Sequence, residues 1–148
     1  MAEADERTEA GEVGASEEIP GMAEACRRFP MPDAELAQHV LRELGWDDRF
    51  VVSRMVPSKG GSDLYLYSLR NAAIYLLDKD AASASMRSKG LIKLVDIDGF
   101  VAWLRSSVGD CALADAIERE LADAESYNDR LQVVQMLVGL RMIQLGGL

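Results

Sequence analysis

The chain has 148 residues, 49% of them hydrophobic, and a net charge of −9. It should form one domain, large enough to bury roughly 68% of its unfolded surface without a disulfide or metal staple. Two distant cysteines, Cys26 and Cys111, and one histidine, His39, leave a Cys/His zinc site short of ligands. With no charged-then-apolar leader and no run of about twenty uninterrupted apolar residues, the expectation is a cytoplasmic protein without a membrane span or cofactor.

Residues 1–21 carry Glu3, Asp5, Glu6, Glu9, Glu12, Glu17 and Glu18 against Arg7 alone, so most of the net charge belongs to this segment. Its scant apolar content cannot offset the entropy of ordering, and a disordered acidic tail ahead of a single domain at 22–148 is expected. The remaining body is nearly neutral and exerts no long-range pull on nucleic acid or anionic lipid.

A short helix fits Met22–Arg28, before Pro30 and Pro32 break the chain. Asp33 reads as the N-cap of a helix to about Leu44, with Leu36, Ala37, Val40, Leu41 and Leu44 on one face and Gly45 as its stop. Arg49–Val56 is rich in β-formers, residues 57–63 read as a loop, and Leu64–Leu69 reads as a second strand. Residues 72–78 (AAIYLLD) fit a third strand of an antiparallel meander, with Tyr65, Tyr67 and Tyr75 at strand spacing. Ala and Leu favour a helix in the same place. Tyr65 and Tyr67 share one face of their strand and Leu64 and Leu66 the other, so both faces call for cover by helices or by a partner.

Asp80 starts a short helix through Met86, Gly90 stops it, and residues 91–95 (LIKLV) form a further strand. Asp96 or Asp98 then caps a helix with Ile97, Phe100, Val101, Leu104 and Val108 at core spacing. Gly109 closes it, and Asp110 caps the next, whose inner face is Leu113, Ile117, Leu121 and Ala124. Ser126 caps the last helix, from Tyr127 to about Leu145. The resulting class is α+β: an N-terminal helix, a small antiparallel meander and a C-terminal group of three helices.

The chemistry-like motifs have plainer explanations. Lys59-Gly60-Gly61-Ser62 lacks the order and the strand–helix context of a phosphate loop. Asp78-x-Asp80 and Asp96-x-Asp98-Gly99 lack the third ligand and the Glu of a calcium loop, and helix capping explains the second pair. No base is legible for Cys26 or Cys111, and the usual role of a lone helical cysteine such as Cys111 is that of a small buried hydrophobe. No catalytic or metal-binding set emerges.

The last eighteen residues (LQVVQMLVGLRMIQLGGL) hold one charged side chain, Arg141. A helix that is apolar on nearly every side must be covered by its own chain or by a second copy. The leading reading is therefore a non-catalytic protein–protein interaction module that forms a homodimer through Met136, Leu140 and Ile143, with Trp103 as a possible anchor. An alternative is a winged-helix-like DNA-binding regulator, in which 69–77 and 81–89 are helices and Arg87, Lys89 and Lys93 contact nucleic acid. Few base-reading side chains on the second of those helices, and Asp78 and Asp80 beside it, weigh against that alternative. A small-molecule-binding domain or an enzyme with an unrecognised site is the third reading.

Overall fold

The computed structural model describes residues 19–56, 60–77 and 92–147. The expected acidic tail up to residue 18, the helix expected at Asp80–Met86, and Arg87 and Lys89 lie outside the described residues. Within them the chain is α+β, with six α-helices and one three-stranded antiparallel sheet. The elements are α1 (Met22–Arg28), α2 (Ala34–Leu41), a 3-10 turn (Trp46–Asp48), β1 (Phe50–Val56), β2 (Gly60–Leu66), α3 (Leu69–Leu77), β3 (Ile92–Leu94), α4 (Ile97–Trp103), α5 (Cys111–Leu121) and α6 (Tyr127–Gln144).

The helix starts follow the cap chemistry. The side chains of Asp33, Asp96, Asp110 and Ser126 each accept a hydrogen bond from a backbone N–H three residues on, which satisfies a donor that the first turn leaves open. Other boundaries differ from the sequence reading. α2 stops at Leu41, because the Leu44 N–H pairs with the Tyr67 carbonyl instead of continuing the helix. Gly45 is extended and starts the 3-10 turn. α4 runs into a π-turn, Leu104–Val108, closed by Gly109 in the left-handed region, where a side chain would strike the His39 ring. The Arg42 guanidinium ties this turn to α2 by donating to the carbonyls of His39, Ser107 and Val108.

The sheet departs from a meander. Its order is β2-β1-β3, with Val51 opposite Tyr65, Ser53 opposite both Asp63 and Leu94, and Met55 opposite both Gly61 and Ile92. Residues 69–77 are helix α3, not a strand, and β3 supplies the third strand from much later in the chain. In α3 the residues Leu69, Ala72, Ala73 and Leu76 are buried at helical spacing while Ile74 points out, a pattern no strand could give.

α6 is surrounded by α1, α3, α4 and α5. Val134, Leu137, Val138 and Met142 are buried on it, and Leu77 of α3 rests over Gly139. Its lone charge is also inside. Arg141 and Asp110 are both 0% exposed and form a bidentate pair, Nε to Oδ2 at 2.9 Å and Nη2 to Oδ1 at 2.9 Å. Arg141 Nη1 donates to the Pro30 carbonyl (3.0 Å) and to Gln144 Oε1 (2.7 Å), while Gln144 Nε2 donates to the Phe29 carbonyl (3.0 Å). Asp110 also caps α5. One network thus joins the segment after α1, the start of α5 and the end of α6.

Arg141→Met should destabilise the fold by about 3–5 kcal/mol in urea denaturation, because it leaves the Asp110 carboxylate buried without a counter-charge. The double variant Arg141→Met/Asp110→Ser keeps a helix cap and removes the stranded charge. It should recover a large part of that loss, and equal stability of the single and double variants would refute this account.

Candidate functional site

Among the described residues no three or more His, Cys, Asp or Glu side chains gather as a metal site, and no helix is long and apolar enough to cross a membrane. Both cysteines are exposed, so Cys111 is not the buried hydrophobe that its helical position suggests. His39 packs against Gly109, just ahead of the helix that begins at Cys111.

The four residues expected at an interface are dispersed. Trp103 is 5% exposed, stacks with Phe50 and Phe100 at centroid separations of 5.5 and 5.7 Å, and donates its indole N–H to the Asp48 carbonyl. It is a core residue and not an interface anchor. Leu140 and Ile143 are half-buried beneath the start of α1, where a Cβ on Gly21 would come within 2.7 Å of Ile143 Cδ1. Of the four, only Met136, at 40% exposure, stays open. The cover expected from a second copy comes largely from α1 and α3 of the same chain. Of the three basic residues assigned to nucleic-acid contact, Lys93 alone is described. It is half-buried on β3, and its amine donates to the Leu76 carbonyl.

The exposed apolar surface lies elsewhere. Side chains alternate across a strand, so the pairings above place Val51, Ser53, Met55, Asp63, Tyr65, Ile92 and Leu94 on one face of the sheet. Val51, Met55, Tyr65, Ile92 and Leu94 are all exposed there. Trp46, 59% exposed, extends the patch with its ring 5.9 Å from that of Tyr65, and the Arg49 guanidinium sits 3.6 Å over Trp46. The Ser53 hydroxyl donates to the Asp63 carboxylate, the one polar pair in the middle row. An antiparallel sheet with a solvated face normally carries polar residues there. This face does not.

The opposite, inner face packs toward the helices through Phe50, Val52 and Leu66. The Tyr75 hydroxyl donates to the Ser53 carbonyl, and burial pushes its pKa up to about 12, so the phenol stays neutral. A groove of about 310 Å³ remains between this inner face and α3, lined by Arg54, Leu64, Tyr65, Leu66, Asn71, Ile74, Tyr75 and Lys93. At the free edge of β3, the Tyr127 hydroxyl donates to the Lys93 carbonyl (2.7 Å) and accepts from the Val95 N–H (2.9 Å).

No family model matches the sequence, and no curated protein or solved structure matches the chain.

Tyr127→Phe should expose that strand edge. Water can replace part of the lost bonding, so the cost should be about 0.5–1.5 kcal/mol. Amide exchange at Val95 should accelerate more than exchange in α5, and an unchanged Val95 rate would show that the hydroxyl is not what protects it.

Proposed function

We propose that this chain is a non-catalytic interaction module that pairs with a second copy of itself through the outer face of its sheet. The observation that carries the reading is the contiguous exposed cluster of Val51, Met55, Tyr65, Ile92 and Leu94 with Trp46 at its end. Monomeric soluble proteins rarely expose a contiguous apolar patch beyond a few hundred Å² unless it serves as a binding surface.

A second copy is the occupant that the shape supports. Tyr65 and Gly61 lie at opposite ends of the same strand on this face, and Val51 and Met55 do so on the neighbouring strand. A two-fold axis across the strands at Ser53 sets the bulky end of one copy over the bare glycine end of the other. The same operation brings Val51 over Met55. Two sheets stacked this way cross at about 30°, and Asp63, in the Ser53 row on edge strand β2, faces its own symmetry mate at the rim of the contact. Such a contact is isologous and closed, as most homodimers are. It also removes from water the aromatic pair of Trp46 and Tyr65, a residue class enriched among binding hot spots.

Sedimentation equilibrium at micromolar concentration should give a dimer. Val51→Asp and Leu94→Asp, both at exposed positions, should give folded monomers with unchanged circular dichroism. Met136→Glu on α6 should leave the dimer intact. A mass of 16.2 kDa at every concentration would overturn the reading, and a dimer split by Met136→Glu but not by the sheet variants would move the interface to α6.

A further inference from the structure

We propose that the groove between the inner face of the sheet and α3 binds a small organic anion, a carboxylate carrying a short apolar chain. The groove opens between α3 and the inner face of the sheet, and Tyr65 of the self-association surface also borders it.

Three donors from three elements line the groove. Arg54 on β1 stands directly opposite Lys93 on β3 in the strand register. No acidic side chain lines the groove among the described residues. Arg54 is half-buried, and its guanidinium makes no hydrogen bond or ion pair among the described residues, so its planar fork is open to a carboxylate. Lys93 donates from its amine to the Leu76 carbonyl at the groove wall.

The third donor is Asn71 on α3. Its Oδ1 accepts the Tyr67 N–H at 3.1 Å, which fixes the amide orientation and leaves the Nδ2 donors for the groove. Tyr75 has committed its hydroxyl to the Ser53 carbonyl, so it offers a ring wall instead of a competing polar group. Leu64 and Leu66 supply the apolar lining, and Ile74, 51% exposed, stands at the mouth. A cationic fork and an amide beside an aliphatic lining match a headgroup with a hydrocarbon tail. The volume of about 310 Å³ lies at the small end of ligand sites and restricts that tail to a few carbons.

The probe is hexanoate, titrated into the full chain and followed by two-dimensional amide NMR. Saturable shifts at Arg54, Leu64, Asn71 and Lys93 are expected, with a Kd on the order of a millimolar for a ligand of this size. Hexan-1-ol, which keeps the chain and lacks the charge, should bind about tenfold more weakly, the fold-change that loss of one charge-assisted hydrogen bond brings. Arg54→Met should weaken hexanoate by a similar factor. Asn71→Asp retains the acceptor for the Tyr67 N–H, replaces the donor with a negative charge, and should abolish binding; it serves as the check if Arg54→Met fails to fold. Inorganic phosphate, which has no tail, should give weaker shifts than hexanoate. Hexanoate that fails to saturate, or hexan-1-ol that binds equally well, would overturn the proposal. Phosphate binding tighter than hexanoate would overturn the assignment to a carboxylate.

Discussion

The bidentate contact between Arg141 and Asp110 decides how the last helix sits in the fold. α6 is apolar on nearly every side, so hydrophobic burial alone favours many rotations of it almost equally. A guanidinium that must be buried allows only the rotation that meets a carboxylate and the carbonyl of Pro30. The desolvation cost of such a pair offsets much of its attraction, so its contribution lies in selecting one packing over others more than in net stability. Because Asp110 is also the cap of α5 and Gln144 also holds the Phe29 carbonyl, the choice propagates to α5 and to the segment that follows α1.

Once α6 is fixed, the rest of the layering follows. α1, α3, α4 and α5 close around it, and among the described residues helices lie on one side of the sheet only. The inner strand residues Val52 and Leu66 meet the helical layer, and the outer ones face water. The exposed apolar face is thus a consequence of a helical layer that spends its apolar surface on itself.

Much of this was legible in the sequence where the causes are local. Asp33, Asp110 and Ser126 announce their helices because a cap needs only its own first turn. The class α+β followed from counting such elements. Helix α3 was misread because LRNAAIYLL satisfies helix and strand alike, and tyrosines two apart on β2 suggested that the strand pattern continued. What settles it is a contact distant in sequence: Tyr75 must reach the Ser53 carbonyl from a helix, because β3 takes the place beside β1. The cover over Leu140 and Ile143 escapes the sequence for a related reason. Leu140 and Ile143 do need cover, and periodicity shows that need without showing that a seven-residue helix ahead of Pro30 supplies it. Arg141 carried the best unused signal. A lone charge in a helix that must be buried demands a partner, although nothing in the spacing singles out Asp110.

The hydroxyl of Tyr127 bears on a different matter, the direction in which sheets can grow. A strand edge with free carbonyls and N–H groups is a template for another strand, and a sheet with two such edges can propagate without limit. Here Tyr127 occupies the outer side of β3, while β2 keeps its own outer side open among the described residues. Among the described residues, edge-to-edge pairing can therefore begin at β2 and is obstructed at β3. The side chain that completes a short strand also closes one of the two directions in which this sheet could grow by its edges.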